Sequence, residues 1–316
     1  MNSTDRKKIL ITGATGFIGQ HLLEEFEGAD WEITILSRRK APQIRSSLKL
    51  NIVQGDIGEY ESVLTASKEK DIIINLAAEI RVPHLIYRTN IGGTVNILKA
   101  AEQNSVKKII HLSSVGVVGM QYSSEEREVN ELSLCKPKND YEKSKLESER
   151  MMQEAGKKGD IEIVILRPTN VFGEFHPDNI LLGLIQHCAK KNKIYFRRNA
   201  IVNYLYVKDL SGAIKFFASN NSDGILYNVG KPGKLENILT IIANEFEFPV
   251  NKKYLSQIFF QLGNLLPGKF SVKSRALSNK VSYTSEKLNS VFQYPFGTDI
   301  GLKKLVQHYR QEGKLK

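Results

Sequence analysis

The sequence predicts an α/β protein: a doubly wound parallel sheet with a smaller C-terminal α/β lobe for substrate. Three observations carry this expectation. A glycine-rich turn, Thr12-Gly13-Ala14-Thr15-Gly16-Phe17-Ile18-Gly19, follows the apolar run Ile9-Leu10-Ile11 and opens a stretch, Gln20 to Phe26, with helical character. Strand-like runs alternate with amphipathic stretches through the first two thirds of the chain, the pattern of strands joined by crossover helices. The segment Tyr141-Glu142-Lys143-Ser144-Lys145 falls where such a sheet would need its active site.

Each element has its own signal. Strands are expected over Ile9–Thr12, Glu32–Ser37, Leu50–Gln54, Ile72–Leu76, Ile109–Ser113 and Ile161–Arg167, with helices between them such as Ile91–Gln103 and Asp140–Glu154. Right-handed crossovers then fix the doubly wound arrangement. Beyond Arg167 the rhythm breaks at Pro168, Gly173 and Pro177. A helix over Asn179–Lys190, a short strand at Tyr204–Val207, a helix to about Ala218 and a strand at Ile225–Val229 follow. The tail contains the apolar segment Lys252–Phe270. The expected division is 1–170 for dinucleotide binding, with 201–230 returning to it, and 171–200 with 231–316 as the substrate lobe.

A chain of 316 residues with 41% apolar and 25% charged residues has the composition of a soluble globular protein. No apolar run reaches the roughly 20 residues of a membrane-spanning helix. Met1 to Lys8 is polar and leaves no room for a signal peptide, and Cys135 and Cys188 form no disulfide framework. A cytoplasmic setting is expected. The net charge is +11, and Val250 to Lys316 carries 12 Lys and Arg against 3 Asp and Glu, nine of the eleven. That basic region is either a solvated face or a wall facing a phosphorylated ligand or an acidic membrane; no nucleic-acid motif accompanies it. His21, His84, His111, His176, His187 and His308 show no ligand spacing, so no metal is expected.

The chemistry resides in Tyr141 and Lys145, one helical turn apart. A free phenol has a pKa near ~10, too high for proton transfer at neutral pH. A lysine ammonium one turn away, and a nicotinamide cation beyond it, would lower it. A hydroxyl at Ser113 or Ser114, just past a strand, would hold a carbonyl oxygen. Together these make a proton relay beside a hydride donor.

With these motifs in order, the chain resembles the extended short-chain dehydrogenases/reductases, in the NAD-dependent epimerase/dehydratase group. The likeness runs through Gly55-Asp56-Ile57, Asn75-Leu76-Ala77-Ala78, Asn90-Ile91-Gly92-Gly93-Thr94, Leu112-Ser113-Ser114 and Val117-Val118-Gly119. It continues through Tyr141 and Lys145, Arg167-Pro168-Thr169-Asn170-Val171-Phe172-Gly173, Tyr204-Leu205-Tyr206-Val207-Lys208-Asp209 and Tyr227-Asn228-Val229-Gly230. The resemblance implies a Rossmann sheet and a nicotinamide cofactor. It implies that Gly13, Thr15, Gly16, Phe17, Ile18 and Gly19 cradle the pyrophosphate, that Asp56 and Ile57 meet the adenine, and that Leu76, Ala77, Ala78 and Pro168 line the cofactor. It places the catalytic hydroxyl on Ser114, the acid/base on Tyr141 and a ribose anchor on Lys145. Asn90 would be a structural hydrogen bonder. Asn170, Lys273 and Arg275 would touch substrate, and a homodimer would pair through the helix bearing Tyr141.

Cofactor and substrate are narrowed by departures. The second strand ends in Ser37-Arg38-Arg39-Lys40, with no carboxylate for a ribose 2′-hydroxyl and two guanidiniums able to receive a 2′-phosphate, so NADP(H) is favoured over NAD(H). A stoichiometric reductant fits a reductase acting on a keto group of a nucleotide-activated sugar. The alternatives are a nucleotide-sugar 4-epimerase with tightly held NAD, a reductase of an apolar, steroid-like or flavonoid-like ketone, and, from another class, a non-catalytic redox-sensing module. Val202 stands where many sugar-nucleotide relatives have Arg, although Arg197 and Arg198 lie upstream. Val115 and Gly116 after Ser114 replace the acidic pair of a dehydratase. The segment Lys252–Phe270 reads as core, as a lid over an apolar substrate, or as a surface resting on an anionic membrane, which would suit a lipid-linked sugar.

Overall fold

The computed structural model describes residues 6–178 and 181–315, and the side chain of Lys269 is not among those described. The chain divides into two compact units, each assembled from separated stretches.

The first unit comprises 1–119, 134–168 and 210–227. Its sheet contains β1 (Lys7–Thr12), β2 (Trp31–Ser37), β3 (Asn51–Gln54), β4 (Ile72–Asn75), β5 (Lys108–Leu112), β6 (Glu162–Pro168) and β7 (Leu226–Val229). The order is β7-β6-β5-β4-β1-β2-β3, and the pairings from β3 through to β6 are all parallel. The order reverses direction between β1 and β4, which opens a crevice at the strand ends there. β4 and β5 are buried at every position, as strands covered on both faces must be.

Helices α1 (Phe17–Glu25), α2 (Tyr60–Ser67), α3 (Gly93–Gln103) and α4 (Asp140–Lys158) connect these strands. Ile97, Ala100 and Met152 meet Leu10, Ile73 and Ile109 in one core. The expected helix at Ile91 begins instead as a π-turn, Arg88–Gly92, before α3. α4 runs four residues beyond the expected Glu154 because its ends are well specified. Asn139 accepts from the Glu142 amide, Asp140 and Glu142 sit in the first turn, Lys157 and Lys158 in the last, and Gly159 closes it at φ +85°.

The second unit comprises 120–133, 169–209 and 228–316. Ile201–Tyr206 pairs with Asn170–Phe172 and Lys231–Lys234, Lys252–Tyr254 with Ile194–Phe196, and Arg127–Val129 with Val281–Tyr283. This differs from the expected division at 120–133, 169–170, 201–209 and 228–230. Residues 120–133 join the second unit through the Arg127–Val129 pairing, and 201–209 stay there through Asn170–Phe172. The helix α5 (Val207–Ser219) then leads back to the first unit. Of the helix expected over Asn179–Lys190, Asn179 and Ile180 lie outside the described residues and Leu182–Ala189 is helical. Apart from the buried Phe260, the segment Lys252–Phe270 is not core. It yields a short strand, then α6 (Gln257–Leu265), and α7 (Lys269–Ser278) follows.

Candidate active site

The glycine turn sits where β1 and β4 diverge. Gly13 is left-handed at φ +71°, and a Cβ there would stand 2.7 Å from the Ala77 nitrogen at the end of β4. A Cβ at Gly19 would stand 2.3 Å from the Gly13 carbonyl oxygen. Glycine is therefore required at both positions: at one by conformation and contact, at the other by contact alone. Gly16 caps α1 without a side-chain bond, and the first turn of α1 carries no acidic residue. The positive end of the α1 dipole favours an anion there, so the bend fits the pyrophosphate of a dinucleotide.

Tyr141 and Lys145 lie on α4, which packs against the 3-10 turn Val115–Val118. Lys145 is buried and its Nζ donates to the Leu112 carbonyl oxygen at 2.6 Å, fixing the amine to the end of β5. Burial draws its pKa down to about 8, partly opposed by the charge of Glu149. Ser113 and Ser114, which follow directly, are separated by their partners. The Ser113 hydroxyl is buried and donates to Glu149. The Ser114 hydroxyl oxygen accepts from the Gly116 amide at 3.0 Å, which orients it and leaves its proton to donate. Tyr141 departs from the expected lowering. Burial, aided by the charge of Glu142, pushes its phenol up to about 12. The chain alone thus holds this phenol as a proton donor, and any lowering must come from a cation brought by the cofactor.

Beneath the site lies a polar layer that the sequence reading did not single out as functional. The Thr12 hydroxyl donates to Asn75 Oδ1 at 2.7 Å, and Asn75 Nδ2 lies 3.0 Å from His111 Nδ1. Burial and then the charge of Lys145 hold His111 well below its ordinary pKa, so it stays neutral. On the other side, Arg167 makes a two-pronged ion pair with Glu149, at 2.9 Å and 2.6 Å, both side chains buried. Glu149 was detectable as the residue one turn beyond Lys145 on the same helix; its partner Arg167 lies on the next strand and needed the fold. Asn90 acts structurally, as expected, bonding both backbone groups of Glu79 and donating to the Ser144 hydroxyl at 2.8 Å.

The remaining expected positions are distributed as follows. Arg38 and Arg39 are exposed at the end of β2, with Ser37 buried and its hydroxyl accepting from the Arg39 amide at 3.1 Å. Asp56 turns onto the Gly58 amide at 2.8 Å, while Ile57 points into the core. Thr15 and Ala78 are exposed, Phe17, Ile18, Leu76 and Ala77 half-buried, and Pro168 buried. In the second unit Asn170 is exposed at a strand start, and Lys273 and Arg275 are exposed on α7. Among the described residues no hydrogen bond or ion pair brings these three together. Arg197 is engaged by the Ser124 carbonyl and by Gln257, and Arg198 stacks 4.5 Å over the Tyr254 ring. Among the described residues no group of three or more His, Cys, Asp or Glu is placed to hold a metal ion, and no helix is long and apolar enough to cross a membrane.

A family model described as the NAD dependent epimerase/dehydratase family matches residues 9–230. The chain is 31% identical over 293 residues to the N-acetyl-alpha-D-glucosaminyl-diphospho-ditrans,octacis-undecaprenol 4-epimerase of Escherichia coli O157:H7, covering 89% of this chain and 84% of that protein. It is similar in structure to the UDP-glucose 4-epimerase of Thermotoga maritima solved with UDP-glucose, at a TM-score of 0.73 and 17% identity over 96% of this chain and 99% of that one. It is likewise similar to the dTDP-glucose 4,6-dehydratase of Bacillus anthracis in complex with NAD, at a TM-score of 0.74 and 19% identity over 98% of each. At these identities the two solved structures speak to the fold.

Proposed function

Because the chain belongs to the NAD dependent epimerase/dehydratase family, we propose that it is a 4-epimerase acting on a sugar carried by a diphosphate. The observation that carries this reading is the anchoring of Lys145 on the Leu112 carbonyl, which joins the helix bearing Tyr141 to the strand end bearing Ser114. Epimerisation stands ahead of the net reduction expected from the sequence, because a relative 31% identical over 293 residues is a 4-epimerase by name. Dehydration is disfavoured, since Val115 and Gly116 supply no carboxylic acid beside Ser114 to expel water.

A nicotinamide dinucleotide, when bound, supplies the reversible acceptance of a hydride. Gly13, Gly16 and Gly19 would hold its pyrophosphate and Lys145 its ribose, through ammonium protons not given to Leu112. Ser114 donates to the sugar oxygen and fixes it. Tyr141 takes the hydroxyl proton as the carbinol becomes a ketone and returns it when the opposite face is reduced.

A second reading, an NADPH-consuming keto-sugar reductase, draws on Arg38 and Arg39. These exposed guanidiniums after β2 suit a 2′-phosphate, and a cofactor exchanged at each turnover suits a reductase. One experiment separates the two. The purified chain is incubated with UDP-N-acetylglucosamine or its polyprenyl-diphosphate counterpart without added reductant, and retained cofactor is identified by mass spectrometry. Accumulation of the 4-epimer supports epimerisation; turnover only with loss of NADPH absorbance supports reduction. In either case Arg38→Ala with Arg39→Ala should weaken NADP(H) binding roughly 10–100-fold relative to NAD(H) if the 2′-phosphate sits there.

A further inference from the structure

α6 and α7 carry their apolar residues outward. On α6 the exposed side chains include Ile258, Phe259, Leu262 and Leu265, with Leu266 just beyond, at spacings that share one helix face. On α7 they include Phe270 and Val272. The inward side carries one aromatic, Phe260, among small and polar groups. Ser274 bonds the Phe260 carbonyl at 2.9 Å, Asn264 bonds the Tyr122 hydroxyl at 3.0 Å, and a Cβ on Gly263 would stand 2.7 Å from Ser274 Oγ. A soluble helix normally shows the reverse. These seven side chains are 52% to 81% exposed. At about 150–200 Å² for each full side chain they present on the order of 800 Å², above the ~300–600 Å² of the largest patch on a typical monomer.

The charge around the patch indicates what covers it. From Val250 to Ser285 the sequence has no Asp or Glu, while Lys253, Lys273 and Arg275 are exposed. Two copies meeting through this face would set like charges together. An anionic lipid surface would satisfy both the apolar side chains and the cations, which extend their stems along it. We propose that the α6–α7 hairpin rests on an anionic membrane surface, and that the diphosphate-linked sugar is presented there on a polyprenyl carrier. The substrate half of this inference rests on the 4-epimerase reading, in agreement with the name of the Escherichia coli relative.

The test uses the full chain with its cofactor, sedimented with phosphatidylcholine vesicles with and without phosphatidylglycerol. Binding should require phosphatidylglycerol, weaken as salt is raised, and fall tenfold or more in Phe259→Glu with Leu265→Glu. That variant should retain its circular dichroism and its turnover of a nucleotide-linked sugar. Vesicle binding that is absent, or unchanged in the variant, overturns the surface, as does a wild-type dimer that the variant dissociates without any lipid binding. Conversion of polyprenyl-linked sugar in detergent despite such a result leaves the epimerase reading standing. Vesicle binding with no conversion of either sugar form overturns that reading and the substrate half together.

Discussion

Replacing Lys145 by Met should leave the fold as stable as before at neutral pH, or more so, while ending turnover. The ammonium is buried against Leu112, and its pKa falls from 10.5 to about 8. That displacement corresponds to roughly 3 kcal/mol of cost for keeping the charge inside the native chain. Losing the bond to the Leu112 carbonyl gives back about 1.5–3 kcal/mol. The net expectation is a gain between zero and about 2 kcal/mol. It depends on pH in a defined direction. Between pH 8 and 10.5 the unfolded lysine binds more protons than the native one, so wild-type stability rises with pH there. The advantage of the Met variant is therefore full below pH 8 and fades as pH approaches 10.5. Urea unfolding midpoints of both proteins at neutral and alkaline pH measure it. A variant less stable than wild type by more than about 2 kcal/mol at neutral pH, or a difference indifferent to pH, would refute the assignment of burial as the dominant cause.

Other substitutions test neighbouring parts of the site. Tyr141→Phe should lower kcat by about 10²–10⁴-fold while nicotinamide binding, followed by fluorescence, stays within a factor of a few. Glu149→Gln leaves the buried Arg167 guanidinium without its counter-charge and should cost about 3–5 kcal/mol in denaturant unfolding. Because Glu149 also raises the pKa of Lys145, the alkaline limb of the activity profile should move to lower pH in whatever fraction folds. Gly19→Ala drives a methyl into the Gly13 carbonyl and should cost about 1–3 kcal/mol, with cofactor binding falling further than stability alone explains.

The sheet was legible because each strand of the first unit is a short apolar run bounded by turn residues, and the glycine bend marks where the first one ends. Tyr141 and Lys145 were legible because helical spacing is local. The relation of Ser113 to Ser114 was less so: only the folded chain shows one hydroxyl spent on Glu149 and the other left with a proton. The direction of the Tyr141 shift was missed because burial depends on neighbours distant in sequence, and the lysine one turn away does not offset it. The apolar segment after Lys252 misled for a related reason. Periodicity reveals that a helix has an apolar face, but Asn264 and Ser274 decide which face turns inward.

The interleaved chain course has a consequence for biosynthesis. The seventh strand of the nucleotide-binding sheet ends at Val229, and Arg127–Val129 must wait for Val281–Tyr283, about 150 positions later, before its hydrogen bonds are met. A growing polypeptide therefore emerges from the ribosome with an unfinished sheet edge and an orphaned strand until most of it has been translated. Such long-range closure is slow and leaves sticky intermediates exposed. Truncations placed between the two units, at Pro168 or near Gly230, should yield insoluble fragments rather than independently folding modules.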